Sequence, residues 1–156
     1  LALMTKDTVY IASVGDSRVY LLRENRVIQL SQDQSWVAAQ VKAGLLTSEQ
    51  ARHHPKKNRL TMSLSAKRPD VKPFSTSTKL DEDDIIILCS DGLWGVVPDT
   101  LIQAVAFELP PQEAAEKLVG LANAGQGPDN ISVIIARREG AELQSIFGSE
   151  ADETTP

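Results

Sequence analysis

Short apolar runs of strand length alternate along the chain with longer segments in which apolar residues recur every three or four positions. The short runs, rich in β-branched residues, predict strands at residues 9–14, 18–23, 27–30, 71–78, 85–89 and 131–136. The helical spacing predicts helices at residues 33–43, 49–53, 99–109 and 112–123. Because short polar segments join the first three strands, we expect them to form one antiparallel meander.

The most apolar of these runs lies near the middle of the chain. Five consecutive apolar residues, Ile85–Cys89, follow two acids and precede Ser90, Asp91 and Gly92. The run has the length and chemistry of a strand buried on both faces. A carboxylate where such a strand ends has a rigid base, as a metal ligand or a catalytic acid requires. An ordinary strand followed by an Asp-Gly turn explains the same residues.

Two further aspartates stand in a similar context. Asp16 follows a predicted strand and a glycine, and Asp129 lies in a glycine-bearing loop just before the last strand. Converging carboxylates without a cluster of histidine and cysteine suit Mg²⁺ or Mn²⁺. Zinc is disfavoured because the chain has one cysteine and two adjacent histidines. A serine hydrolase is disfavoured because the chain has no Gly-x-Ser-x-Gly motif.

Composition narrows the class of protein. A length of 156 residues corresponds to one domain or to part of a larger one. A net charge of −5 argues against nucleic-acid binding, and no apolar run is long enough for a membrane span or a signal peptide. The single cysteine, Cys89, allows no internal disulfide, so we expect a reducing compartment, the cytoplasm. A start at Leu1, close before a strand, suggests a fragment of a longer domain.

A basic cluster follows the second predicted helix, with Lys56, Lys57 and Arg59 separated only by an asparagine. It fits a solvated loop and a surface that faces a substrate equally well.

Four motifs occur in an order and at intervals typical of one family. Residues 15–18 read Gly-Asp-Ser-Arg, 33–36 Asp-Gln-Ser-Trp, 90–94 Ser-Asp-Gly-Leu-Trp and 127–133 Gly-Pro-Asp-Asn-Ile-Ser-Val. Together they resemble the carboxyl-terminal half of a metal-dependent protein serine/threonine phosphatase of the PPM family, type 2C, in its bacterial branch. The resemblance implies an α+β fold, a four-layer α-β-β-α sandwich with two antiparallel sheets, here truncated at the amino terminus. Residues 1–138 would belong to that domain, and 139–156 would form a flexible acidic tail or linker.

The resemblance also implies a site. Asp91 and Asp129 would be ligands of a two-metal centre for Mg²⁺ or Mn²⁺, and Asp16 would hold a third ion together with Asp91. Asn130 would orient Asp129 or a bound water, whereas Ser90 and Gly92 would shape the end of the strand. The nucleophile would be a metal-activated water, so no side chain would attack phosphorus. Arg18 is expected to be a surface or ion-pair residue without a catalytic role.

The implied activity is hydrolysis of phosphoserine and phosphothreonine in proteins phosphorylated by a serine/threonine kinase. The family pattern also contains an earlier Asp-Gly pair, a Gly-Gly-His segment and a phosphate-binding arginine, and here Asp7 is the only acid before Asp16. We therefore expect the 156-residue chain alone to have an incomplete site and weak or no activity. The alternative is a non-catalytic phosphatase-like domain that binds a phosphoprotein or a regulator. A phosphatase acting on a regulatory partner, such as an anti-sigma antagonist, is a third possibility.

Overall fold

The structure is a computed structural model that describes residues 1–66, 70–125 and 129–138. Its strands are β1 (Ala2–Met4), β2 (Thr8–Ser13), β3 (Arg18–Arg23), β4 (Arg26–Gln29), β5 (Phe74–Lys79), β6 (Ile85–Cys89) and β7 (Val133–Arg137). Its helices are α1 (Trp36–Lys42), α2 (Ser48–Arg52), α3 (Asp91–Trp94), α4 (Asp99–Glu108) and α5 (Pro111–Ala124). The predicted tail at 139–156 and the start of the fourth motif, 127–128, lie outside the described residues.

The strands form two antiparallel sheets, the first in the order β1-β2-β5 and the second in the order β4-β3-β6-β7. The predicted meander is therefore wrong: β2 lies in the first sheet, whereas β3 and β4 lie in the second. The physical reason is burial, because Val9 and Ile11 of β2 pack face to face against Val19 and Leu21 of β3. Pairing these strands edge to edge would leave those apolar faces uncovered. Strand β1, which the sequence pattern did not predict, adds a short edge to the first sheet.

The predicted hairpin between β3 and β4 is confirmed. Its two central residues, Glu24 and Asn25, have φ angles of 47° and 60°. Two consecutive positive φ angles are typical of a type I′ turn, whose twist matches that of antiparallel strands.

Strand β6 lies in the middle of the molecule and is buried on both faces, as its composition predicted. Ile86 packs between the two sheets, whereas Ile85 and Ile87 face the helices. All three side chains are almost completely excluded from solvent. Consecutive strand residues point to opposite faces, so only a run without polar residues can fill both cores.

Helices α4 and α5 cover the second sheet on the side away from the first. The α+β class with two antiparallel sheets is thus confirmed, and the described residues build three layers: a sheet, a second sheet and helices. The outer face of the first sheet exposes Leu3 by 60% and Tyr10 by 50%. No helix within the described ranges is both long and apolar enough to cross a membrane.

The short helices begin where their capping residues predict. Thr47 and Gln50 form a capping box at the start of α2. Gly44, at φ 72°, follows the end of α1, and a left-handed glycine at this position commonly ends a helix. Pro98 is the N-cap of α4, which begins at Asp99 as the predicted helix at 99–109 does.

Candidate metal centre

All three predicted metal ligands, Asp16, Asp91 and Asp129, line one cavity of about 640 Å³. They come from three separate parts of the chain. Asp16 precedes β3, Asp91 follows β6, and Asp129 precedes β7. Since these strands are neighbours in the second sheet, their adjoining segments meet at the same end of it.

Asp91 is the first residue of the four-residue helix α3. The expected Asp-Gly turn is therefore a helical turn that starts directly after Cys89 and Ser90. The buried strand fixes the backbone beneath Asp91, as the sequence suggested. A carboxylate at this position also faces the positive end of the helical turn.

Ser90 joins this turn to the segment that carries Asp129. Its hydroxyl donates a hydrogen bond to the carbonyl oxygen of Asn130 (3.0 Å) and accepts one from the backbone N–H of Ser132 (3.0 Å). The backbone N–H of Asn130 in turn donates to Oδ1 of Asp129 at 2.7 Å. A backbone N–H thus holds one carboxylate oxygen of Asp129, and Ser90 holds the two acidic segments side by side. The role predicted for the Asn130 side chain stays a prediction.

Gly92 lets these segments approach each other. A Cβ atom at this position would lie 2.4 Å from the carbonyl oxygen of Asn130, which is too close for any real contact. The obstacle is backbone and cannot rotate away. Gly92 is thus required by the packing of the two acidic segments.

We expect Gly92→Ala to lower the free energy of unfolding by about 1–3 kcal/mol, because the methyl group would force the two segments apart. Gly120→Ala is the control, since a Cβ there meets nothing within 4 Å. That change lies inside α5 and should stabilise the chain by about 0.5–1 kcal/mol. Urea unfolding monitored by tryptophan fluorescence measures both effects, and equal unfolding midpoints for the two variants would contradict the expected crowding at Gly92.

Asp16 is held through its backbone and lies among other acids. The indole Nε1–H of Trp94 donates to the carbonyl oxygen of Asp16 at 3.0 Å. Burial first, and then the neighbouring carboxylates of Asp91 and Asp33, raise the pKa of Asp16 above its ordinary value. Excess negative charge at this point favours the binding of a cation.

Arg18 is an ion-pair residue, as predicted, but it does not lie on the open surface. Its guanidinium contacts Asp33 with two nitrogens (Nη2 to Oδ2 2.8 Å) and donates to the hydroxyl of Tyr20 at 2.9 Å. It also lies 3.7 Å from the centroid of the Trp94 ring. The same tryptophan that anchors Asp16 is therefore fixed by Arg18.

Sequence reasoning missed the acids that complete this network. Asp33 accepts from Arg18, and Asp99 of α4 accepts from Tyr20 at 3.4 Å and faces Arg52 of α2 at 3.7 Å. Asp33 belongs to one of the four motifs, which was the only available signal for it. Asp99 is far from its partners in sequence, so no local pattern could identify it.

The donor set fits a hard divalent cation. The cavity offers carboxylate oxygens, and neither histidine nor cysteine is among the described residues that line it. Within the described ranges, however, no three acidic, histidine or cysteine side chains lie close enough together to enclose a metal ion. The three aspartates thus suit Mg²⁺ or Mn²⁺ in chemistry but do not by themselves enclose an ion.

Cys89 is unsuited to act as a nucleophile because it is buried in β6. Its side chain is 4% exposed, and burial raises the pKa of the thiol to about 12. The thiolate, which is the reactive form, is therefore negligible at neutral pH.

The profile of the family described as Protein phosphatase 2C matches residues 1–39 and 53–131 of the chain. The gap, 40–52, covers the end of α1 and all of α2.

Similar proteins are bacterial serine/threonine phosphatases. The chain is 37% identical over 143 residues to the serine/threonine phosphatase Stp of Listeria welshimeri, an alignment that covers 88% of this chain and 54% of the relative. The structure of Stp1 from Staphylococcus aureus matches with a TM-score of 0.84 at 33% identity, covering 89% of this chain and 55% of that one. The catalytic domain of the phosphatase PstP, solved with two manganese ions, matches at 0.75 and 31% identity, covering 88% and 57%. The chain thus spans about half the length of the curated relatives it matches.

Proposed function

The chain belongs to the protein phosphatase 2C family, as its four motifs predicted, and we propose that it supplies one half of the metal centre of a serine/threonine phosphatase. In this proposal Asp91 and Asp129 bind the Mg²⁺ or Mn²⁺ ions at which phosphoserine and phosphothreonine esters are hydrolysed. Asp16, with Asp91, holds a further ion. The observation that carries the proposal is the convergence of these three aspartates on one cavity.

The residues of this chain have distinct tasks in the proposed site. The bound ions would polarise a water for attack on phosphorus and neutralise charge on the phosphoryl group. Ser90 keeps the segments of Asp91 and Asp129 together, and Trp94 fixes the backbone of Asp16. No side chain of the cavity needs to form a covalent intermediate.

Metal binding tests the assignment of Asp91. Calorimetric titration of the chain with Mn²⁺ should show affinity that Asp91→Asn weakens by about 10-fold or more, because the amide lacks the ligand charge. Asp83→Asn is the matched control: Asp83 is exposed, does not line the cavity and has φ 65°, which asparagine tolerates. Unchanged Mn²⁺ affinity in Asp91→Asn would remove Asp91 from the site.

A further prediction concerns the phosphatase activity of the isolated 156-residue chain. Since Asp7 is the only acid before Asp16 and no Gly-Gly-His segment is present, we expect little or no hydrolysis of an aryl phosphate with Mn²⁺. A co-expressed or fused amino-terminal half from a similar bacterial phosphatase should raise the rate. Turnover by the chain alone at the rate of a full-length relative would overturn the view that the site is partial.

A non-catalytic domain that binds phosphoproteins is the competing proposal, favoured by the lack of a closed three-acid cluster in the described residues. It predicts phosphopeptide binding without turnover even when the other half is supplied. The kinase whose products are substrates, and the cytoplasmic location, also stay predictions.

A further inference from the structure

The cavity that contains the three aspartates has a basic side. Lys42 at the end of α1, Arg52 at the end of α2 and Lys57 in the following turn all line it. All three side chains are exposed, so they lie at the mouth rather than on the floor. Five aspartates and four basic residues are among the described residues that line the cavity, although the chain as a whole has a net charge of −5.

Two of these three cations, Lys42 and Lys57, have no ion-pair partner among the described residues. Among the other acids that line the cavity, Asp33 is neutralised by Arg18 at 2.8 Å, and Asp99 lies 3.7 Å from Arg52. In the part of the chain that the structure describes, neither Lys42 nor Lys57 has a carboxylate within 4.0 Å. Their charges are therefore available to a ligand.

The three residues of the basic cluster noted in the sequence, Lys56, Lys57 and Arg59, lie in different surroundings. Lys57 lines the cavity, whereas the ammonium of Lys56 lies 4.9 Å from the centroid of the Trp36 ring. Arg59 is not among the residues of the lining. Only one member of the cluster therefore faces the candidate site.

The position of Lys42 in the sequence favours a role in substrate selectivity rather than in the reaction that the family shares. Lys42 lies in residues 40–52, the segment that the family profile does not match. Groups needed for the reaction itself would be expected within the matched segments, as Asp16, Asp91 and Asp129 are. Lys42, a cation outside them, suits recognition of a particular class of substrate, whereas Lys57 lies within the matched segment 53–131 and this argument does not apply to it.

We propose that Lys42 and Lys57 form a subsite for a carboxylate side chain that neighbours the phosphorylated residue of a peptide substrate. This inference rests on the proposed function, because it supposes that the phosphoryl group enters at the aspartates. The substrate class is then acidic phosphopeptides, with a glutamate or aspartate near the phosphoserine or phosphothreonine. Val37 and Val41 of α1, which also line the cavity, would contact the methylene groups of that side chain.

Paired peptides test the subsite by binding alone. One labelled peptide carries a phosphonate analogue of phosphoserine flanked by glutamates, and the other carries glutamines in their place. With Mn²⁺ present, the chain should bind the glutamate peptide about 3- to 10-fold more tightly by fluorescence anisotropy, as two exposed ion pairs allow. The preference should fall with rising salt, because exposed charges are screened.

Matched lysine variants test whether Lys42 and Lys57 cause the preference for the glutamate peptide. Lys42→Gln with Lys57→Gln should reduce the ratio of the two affinities to about one, since both cations are removed. The control, Lys6→Gln with Lys117→Gln, makes the same change in net charge at two exposed lysines outside the cavity and should keep the ratio. No preference in the wild type, an unchanged preference in the first variant, or an equal loss in the control would overturn the subsite.

The same peptides with serine in place of the phosphonate separate this inference from the proposed function. The preference for glutamate over glutamine should persist without phosphonate and without Mn²⁺, although both affinities fall. If Asp91→Asn leaves Mn²⁺ binding unchanged while the lysine variant still loses its preference, the metal assignment fails and the basic subsite stands. If Mn²⁺ binding depends on Asp91 but the chain shows no preference for glutamate, the metal assignment stands and the basic subsite fails.

Discussion

Arg23→Met is expected to lower the free energy of unfolding by about 3–5 kcal/mol, because it leaves a buried carboxylate without its cation. The Asp84 side chain is 1% exposed, and Arg23 binds both of its oxygens, from Nε at 2.9 Å and from Nη2 at 2.6 Å. After the change Asp84 would keep one donor, the backbone N–H of Asp81 at 2.7 Å. Methionine preserves the length and the apolar packing of the arginine stem, so the loss reports on the polar contacts of Arg23. These also include an ion pair with the exposed Asp81 at 2.8 Å and a hydrogen bond to the carbonyl oxygen of Lys79 at 2.8 Å.

Arg26→Met is the matched control, since Arg26 lies exposed across the same hairpin, paired with Arg23 in the strand register. Its effect should stay within about 0.5 kcal/mol. The double variant Arg23→Met with Asp84→Asn should recover part of the stability, because the uncompensated charge is gone. Urea unfolding measures all four proteins, and a loss below about 1 kcal/mol in Arg23→Met would mean that water reaches Asp84 when Arg23 is absent.

Local chemistry explains why much of the fold could be predicted. The run Ile85–Cys89 contains no polar residue, and only a strand between two cores can bury all of it. The Thr47 side chain and the Gln50 side chain bond each other's backbone N–H, an arrangement specified by two residues three positions apart. Elements of this kind depend on neighbours in sequence, which a single sequence displays in full.

The division of the strands between two sheets depends on distant contacts and could not be predicted. Residues 14–17 join β2 to β3, and a connection of this length serves equally well as a hairpin loop or as a passage between stacked sheets. The apolar residues of the two strands are compatible with either arrangement. The contacts of Val9 and Ile11 with the second sheet decide between them, and those contacts exist only after the chain has folded.

The candidate site shows the same limit. The end of a buried strand identified Asp91 as a candidate, and the motifs added Asp16 and Asp129. Asp16 is held by a hydrogen bond from the indole of Trp94, 78 positions away, and Trp94 is in turn stacked against the guanidinium of Arg18. These contacts between distant residues could not be predicted from the sequence. A cation over an aromatic ring leaves no signature in either local sequence, so Arg18 was expected to do no more than pair with an acid.

Arg18→Lys is therefore expected to have a larger effect than a conservative exchange suggests. Lysine keeps the charge but cannot stack a planar group on Trp94, 3.7 Å away, or bind Asp33 with two nitrogens. We expect a loss of about 2 kcal/mol in the free energy of unfolding. Because Trp94 donates to the carbonyl oxygen of Asp16, we also expect Mn²⁺ affinity to weaken about 3- to 10-fold.

The two effects can be separated with Arg137→Lys as the control. Arg137 donates to the carbonyl oxygens of Ala106 and Leu109 and does not line the cavity, so its exchange should lower stability and leave Mn²⁺ binding unchanged. In a Trp36→Phe background Trp94 is the sole tryptophan, and its fluorescence should become more accessible to a quencher in Arg18→Lys alone. If Arg18→Lys loses stability but binds Mn²⁺ like the wild type, Arg18 supports the fold and has no part in placing Asp16. If Mn²⁺ affinity and Trp94 quenching change together in Arg18→Lys and neither changes in the control, the stacked pair of Arg18 and Trp94 positions Asp16, the proposed metal ligand.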